Sequence, residues 1–446
     1  MTHEVKEAPR SAPFFDAFVF WLKLGFLSFG GPAGQISMMH QELVEKRRWI
    51  SDRRFMHALN YTMMLPGPEA QQLATYIGWL MHGTKGGIVA GVLFIVPSLF
   101  ILIGLTWGYL VFGNAPVVEG ILYGIKPAVT AIVVYSAYRI GQKVLKNSVL
   151  GAIAVMAFVA ITVFDIAFPY IVLLAAMIGY LGSRLRPDSF QTAGNQGSSE
   201  VSYGPAFIDD DTPVPEHARF RSGRLIVFGA LGVSIWIAAM AVLMLTDGLE
   251  GTLTQMAVFF SKAAFVTFGG AYAVLPYVYQ GGVDEYGWLT GAQMIDGLAL
   301  GETTPGPLIM VVAFVGFVGA WTKEIFGPEM LPVAGAAGAF VATLFTFIPS
   351  FLFILIGGPA VEATRHDMKL AAPLVGITAA VVGVILNLAL FFAYHVLWPQ
   401  GFGSTFEWFS ALLGAAAFVA LFRWDLGIFK VICLSAAMGL GYTYLT

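Results

Sequence analysis

Apolar runs of roughly 20 residues follow one another along almost the whole chain, separated by short polar or glycine- and proline-rich breaks. The runs at 86–112, 225–245 and 335–356 show this most plainly. As a helix, each is long enough to cross an apolar layer about 30 Å thick. The pattern predicts helices near 86–112, 117–138, 149–164 and 167–182, an isolated one at 225–245, and a second set at 252–270, 290–321, 333–357, 370–392, 405–421 and 427–445. Two early apolar stretches are interrupted. Residues 14–29 carry Asp16 and Lys23 and stop at Gly30-Gly31-Pro32, and 55–82 is split by Pro66-Gly67-Pro68. Such clusters break or kink a helix. Between them, 35–54 reads as an amphipathic helix ending in Lys46, Arg47, Arg48, Arg53 and Arg54.

The breaks recur. Phe26-Leu27-Ser28-Phe29-Gly30-Gly31 returns as Phe265-Val266-Thr267-Phe268-Gly269-Gly270, and 268 minus 29 gives an offset of 239. The same offset carries Lys23 onto Lys262, Trp49 onto Trp288, and Pro66-Gly67-Pro68 onto Pro305-Gly306-Pro307. Past 322–334, where the second copy has extra residues, the offset becomes 252 and joins Pro97-Ser98 to Pro349-Ser350 and Gly124-Ile125 to Gly376-Ile377. An internal repeat outranks other readings of architecture. The expected boundaries are a polar tail at 1–13, a first repeat at 14–183, a cytoplasmic linker at 184–223, an extra transmembrane helix at 224–246 and a second, inverted repeat at 247–446. The linker holds Gly, Ser, Pro and Asp209-Asp210-Asp211 and reads as flexible.

Charge sets the expected orientation. The connector 40–54 carries five Lys/Arg, whereas its counterpart 279–293 carries none and has Asp284 and Glu285. Under the positive-inside rule the first lies in the cytoplasm and the second outside. The copies are then antiparallel, with the unpaired helix 225–245 turning the second one over. Arg53/Arg54 and Arg139/Lys143/Lys146 share the cytoplasmic side only if 55–83 enters the membrane and returns. Arg365 and Lys369 then come out cytoplasmic, and the charge-free loop 394–404 external. The expected fold class is an all-α integral membrane protein: two inverted-topology repeats with broken or re-entrant helices.

Composition supports a multi-pass membrane protein. Of 446 residues 57% are hydrophobic and 11% charged, against about 25% charged in a soluble domain, and mean hydropathy is +0.76. A net charge of -3 leaves no basic face for nucleic acid. The single Cys433 excludes an internal disulfide, and the seven histidines lack ligand spacing, so neither metal nor cofactor is expected. No Gly-x-x-x-x-Gly-Lys-Ser/Thr is present for ATP hydrolysis, and no cleavable signal peptide is evident. No nucleophile or cofactor site points to an enzyme.

Non-helical backbone at membrane depth is tolerated only inside protein or against a wet cavity. Helices starting there expose free N–H groups and a partial positive charge, which suits an anion. Gly30, Gly31, Gly269 and Gly270 leave room for an anion to approach the backbone, and Ser28 and Thr267 add hydroxyls. The Pro-Gly-Pro segments, with Asn60, Gln71, Thr303 and Thr304 nearby, are expected to line the same cavity. Lys23 and Lys262, each two turns before its Gly-Gly, suit a doubly charged ligand. The alternative is that they snorkel to an interface. Lys126 is a weaker candidate, because the second copy has Thr378 there. Glu69 and Glu302 flank the Pro-Gly-Pro segments at non-equivalent positions and are candidates to carry a proton. The alternative is capping or salt-bridging.

The doubled Phe-Gly-Gly, Trp, Pro-Gly-Pro and Pro-Ser motifs resemble the chromate ion transporter family in its long, two-domain form, over nearly the whole chain. One departure is that Gly31-Pro32-Ala33-Gly34 becomes Gly270-Ala271-Tyr272-Ala273. The resemblance implies a multi-pass carrier of the bacterial inner membrane that exports chromate and confers chromate resistance, driven by antiport with protons or by the membrane potential. A transporter or channel for sulfate or another anion is the alternative. The implied partners are the oxyanion and the lipid bilayer, with a homodimer left open.

Overall fold

The computed structural model describes residues 12–29, 31–113, 115–186, 190, 203–213, 215–268, 270–363, 371–403 and 405–445. Among them the chain is helical, with no β-strand beyond one isolated bridge between Ile50 and Ile208. Among the described residues seven helices are long and apolar enough to cross a membrane.

The first repeat opens with two short helices, α1 (Phe14–Leu27) and α2 (Gly31–His40), the second running on as one π-helical segment, Gln41–Lys46. At 1.5 Å per residue, 14 residues reach only about 21 Å, too short to cross. The chain turns back instead. Trp49, beyond the π segment, stacks edge-on with Phe20 of α1 at 5.9 Å, and Arg47 lies over the same ring at 5.3 Å. A second hairpin follows. It consists of α3 (Asp52–Thr62), the Pro-Gly-Pro turn, and the first part of α4 (Glu69–Phe112), which breaks at His82 and Gly83. His82 Nε2 meets the Ala12 carbonyl at 2.7 Å, so both hairpins open at one end of the molecule. The rest of α4, α5 (Pro116–Val144), α6 (Ser148–Thr162) and α7 (Phe168–Leu185) complete the repeat.

The expected helix over 35–54 is shorter than its pattern suggests. Arg48 adopts φ 51, Ile50 bridges Ile208, and Ser51 caps α3 by accepting from the Arg54 amide at 3.2 Å. The linker reads as flexible, yet its described part is packed. Ser51 N donates to the Ile208 carbonyl, Ser51 Oγ to Asp210 at 2.6 Å, and His217 meets the Trp79 carbonyl at 2.9 Å. Arg365 and Lys369 lie outside the described residues.

After α8 (Ser222–Thr246) the unit repeats as α9 (Thr252–Val266), α10 (Ala271–Tyr279), a π segment Gln280–Glu285, α11 (Gly291–Thr303), α12 (Val311–Thr322), α13 (Leu331–Ala363), α14 (Ala371–Leu397), α15 (Trp408–Arg423) and α16 (Ile428–Leu445). The repetition reaches single residues. The π segments start at 41 and 280, 239 apart, and the caps of α3 and α11 are Ser51 and Thr290. Phe259 packs on Trp288 at 5.5 Å, as Phe20 does on Trp49. Left-handed residues pair as Arg48 with Gly287 and Asp165 with Asp425. The last two helices of each copy start at 148 and 168, and at 408 and 428, an offset of 260.

Candidate functional site

The two repeats interlock through their broken segments. Gly67, in the first Pro-Gly-Pro, donates its N–H to the Thr267 carbonyl of the second repeat at 2.7 Å. Gly306, in the second, donates to the Ser28 carbonyl of the first at 3.0 Å. Both glycines have left-handed φ, +124° and +99°, the conformation that Gly permits most cheaply. Each also presses on the repeated Pro-Ser. A Cβ at Gly67 would fall 2.5 Å from Ser350 Oγ, and one at Gly306 2.8 Å from Ser98 Cβ. Three of the motif pairs thus gather into two crossed clusters: Ser28, Ser98 and Gly306 in one, Thr267, Ser350 and Gly67 in the other.

The clusters differ in side chains. Gln35 of α2, 1% exposed, donates to the Gly306 carbonyl at 2.6 Å and the Ser28 carbonyl at 3.3 Å. Gln72 of α4, fully buried, donates to the Pro66 carbonyl at 2.7 Å and Ser350 Oγ at 3.4 Å. Ser28 Oγ, Ser98 Oγ and Gln35 Oε1 are buried without a hydrogen-bond partner. Thr267 instead spends its hydroxyl on the Ala263 carbonyl at 2.6 Å. Unpaired buried hydroxyls are costly, and they leave donors free for a guest. Gly270 and Pro68, which precede α10 and α4, make no side-chain cap, so the first N–H groups of those helices add positive potential.

Among the expected site residues, Pro305, Gly306, Pro307, Gly67 and Pro68 are buried, and Pro66, Gly31 and Gly270 are half-buried. Gly30 and Gly269 lie outside the described residues. Gln71 is buried and donates to Thr75 Oγ1 at 3.0 Å. Thr303 and Thr304 donate to the carbonyls of Leu300 and Gly301, while Asn60 is exposed. Lys23 and Lys262 are both exposed, on the faces of α1 and α9 that also carry Phe26, Leu27 and Phe265. No ion pair holds either one among the described residues. Glu302 is 8% exposed and accepts from the Tyr272 hydroxyl at 2.5 Å. Glu69 is half-buried, and among the described residues no hydrogen bond joins it to Glu302.

Two buried ionic groups escaped the sequence reading. Asp296 of α11 pairs with Lys126 Nζ at 3.1 Å and accepts from the Tyr109 hydroxyl at 3.0 Å. Arg54 and Glu362, 5% and 1% exposed, pair at 2.8 Å, and Tyr76 donates to the same carboxylate at 2.5 Å. An acidic residue inside the apolar 290–321 run was the available signal for Asp296. Arg54 looked like one more member of a basic run. Among the described residues no group of three or more His, Cys, Asp or Glu is arranged to hold a metal ion.

The sequence profile of the family described as "Chromate transporter" matches residues 15–180 and 254–440, one match on each repeat. This chain belongs to the chromate transporter family. Its curated relatives in that family include a chromate transport protein of Cupriavidus metallidurans, 30% identical over 375 residues, covering 84% of this chain and 81% of the relative. Another, from Pseudomonas aeruginosa, is 32% identical over 391 residues, covering 86% and 82%. An uncharacterized transporter of Bacillus subtilis is 33% identical over 138 residues, covering 31% of this chain and 70% of its own length. No solved structure matches the chain.

Proposed function

We propose that this protein is a secondary transporter that exports chromate across the bacterial inner membrane, with the anion held where the two crossed clusters meet. The reading rests on one observation above the others. Gly67 and Gly306 bond reciprocally to Thr267 and Ser28, which draws the Phe-Gly-Gly, Pro-Gly-Pro and Pro-Ser motifs into two crossed clusters and leaves the hydroxyls of Ser28 and Ser98 unpaired. Hydroxyls, backbone N–H groups and helix N-termini favour a tetrahedral dianion. The names of the curated relatives supply chromate as its identity.

The membrane orientation follows from charge. The basic connector of the first repeat faces the cytoplasm and the acidic one of the second faces outside, so the repeats are inverted. The inside-negative potential then helps a dianion outward by about 2.3 kcal/mol per charge per 100 mV. Lys23 and Lys262 supply positive charge along the approach, and Glu302 and Glu69 exchange the coupled proton.

Everted vesicles containing the protein are expected to accumulate chromate, and Lys23→Ala and Lys262→Ala to lose most of that uptake while still inserting. Normal uptake by both variants would make the lysines interfacial. Flux in proteoliposomes that ignores an imposed pH gradient would remove Glu69 and Glu302 from the mechanism. Sulfate that competes with chromate at equal concentration would broaden the substrate to tetrahedral dianions in general.

A further inference from the structure

A cavity of about 220 Å³ lies away from the central clusters, at the end of the molecule where the linker docks. Its floor is built and held. His217 Nε2 meets the Trp79 carbonyl at 2.9 Å, and the two rings stand edge to face at 5.7 Å. The break in α4 makes room for this contact: Gly83, at φ +64, leaves the His217 ring 3.7 Å from where a Cβ would stand.

The rim is cationic. Arg219 and Arg221 line it, both exposed, and among the described residues no carboxylate pairs with either. Thr84 adds a hydroxyl. The facing wall is apolar and comes from two spanning helices, Leu225 and Phe228 of α8 and Leu355 and Pro359 of α13. None of the apolar 18-residue window of the Leu225–Thr246 span is buried within the protein, so α8 presents its surface to lipid. The cavity therefore lies where a lipid-facing helix ends and two free arginines begin.

A small oxyanion would need the arginines but gain nothing from Leu225, Phe228, Leu355 and Pro359. A molecule with a phosphate at one end and hydrocarbon at the other uses both halves. Guanidinium groups bind phosphate through paired N–H donors, and basic pockets between spanning helices take anionic headgroups. We infer that this cavity is a binding site for the headgroup and first acyl carbons of an anionic phospholipid. The phosphate lies against Arg219, Arg221 and Thr84, and the chains run down α8. Because α8 has no counterpart in the first repeat, the site occurs once. It does not depend on what the central clusters carry.

Native mass spectrometry of the full-length protein in neutral detergent, titrated with phosphatidylglycerol or phosphatidylcholine, tests this. Phosphatidylglycerol is expected to bind at least about tenfold more tightly. Replacing both arginines, Arg219→Ala with Arg221→Ala, should weaken it by about 30-fold, at roughly 1 kcal/mol per cation. Arg423→Ala, an exposed arginine at the end of α15, should change nothing. Equal binding of the two lipids overturns the inference, as does an equal loss in Arg423→Ala, which would mean diffuse charge. Displacement of phosphatidylglycerol by millimolar inorganic phosphate would also overturn it, in favour of a free-anion site.

Discussion

Where Gln35 of the first repeat bonds the carbonyls of Ser28 and Gly306, the position 239 residues later is Val274, with no polar atom beyond its backbone. Gln72 corresponds in the same way to Val311, Glu69 to Leu308, Tyr272 to Ala33, and Glu302 to Met63. The backbone repeats down to its left-handed residues, while the polar side chains at the centre almost all differ. Symmetry here builds a frame of broken helices, and asymmetry supplies the chemistry. A transporter must present one site to two sides, which the matched frame provides. The proton coupling proposed above would use a carboxylate, and each repeat carries one, Glu69 and Glu302, at a different place.

The largest expected effect lies at the end of the molecule, where the same asymmetry takes another form. Arg54 corresponds to Gln293. Gln293 completes a capping box with Thr290 on the surface of α11. Arg54 instead ties α3 to Glu362 of α13 and to the linker carbonyls of Asp209 and Thr212 at 3.3 and 3.1 Å. Arg54→Ala would leave the buried Glu362 carboxylate without its cation, with the Tyr76 hydroxyl still donating to it, a loss of about 3–5 kcal/mol. Gln293→Ala should cost about 1 kcal/mol, the usual value of a cap. Thermal unfolding of the two variants in detergent measures the contrast. Equal midpoints would mean that the linker contacts, not the ion pair, hold this end together.

Next comes the frame itself. Alanine at Gly306 or Gly67 forces a side chain into left-handed backbone and costs about 1–3 kcal/mol for that alone. The neighbours then decide which is worse. At Gly67 the new Cβ meets Gln72 Nε2 and Ser350 Oγ, the ends of side chains that can swing away. At Gly306 it meets Ser98 Cβ, which cannot. Gly306→Ala should therefore abolish chromate transport, and Gly67→Ala should reduce it. Adding Ser98→Gly should recover part of the Gly306→Ala loss. Vesicle uptake normalised to protein in the membrane reads all three, and an equal loss in both single variants would deny that the clusters differ in rigidity.

Much of this frame was legible in the sequence because breaks in apolar runs have few causes. Gly-Gly and Pro-Gly-Pro, found twice at one offset, marked all four interruptions, and most predicted helix ends fall close to those observed, 35–54 excepted. The crossing of the motifs was not legible. A hydrogen bond from Gly67 to Thr267 joins residues 200 apart, and nothing local records it. Lys23 and Lys262 stood out because they are charged and repeated, yet both side chains are exposed rather than gathered with the clusters. Ser98 stood out as part of the repeated Pro-Ser but not as a site residue, and Gln35 and Gln72 drew no attention, since an uncharged polar residue in an apolar run has many ordinary explanations. Asp296 and Lys126 find each other across two helices of different repeats, a pairing that offsets within the repeat cannot reveal.

The smallest effect sharpens the comparison most. Gln35→Val gives the first repeat the residue of the second, and Val274→Gln does the reverse. Losing the Gln35 bonds leaves the Gly306 carbonyl without that partner, a cost of about 1 kcal/mol, so Gln35→Val should fold and insert. If Gln35 only braces the Pro-Gly-Pro turn, chromate affinity should hardly move. If its unpaired Oε1 orients the hydroxyls of Ser28 and Ser98 toward the anion, the apparent KM should rise several-fold with little change in the maximal rate. Val274→Gln buries a new amide, since Val274 is fully buried, and the Thr267 hydroxyl of the second repeat is already committed to Ala263. It should lower stability without restoring affinity to Gln35→Val. Recovery in the double variant would mean that the two clusters are interchangeable, and that the asymmetry in this pair is a matter of packing.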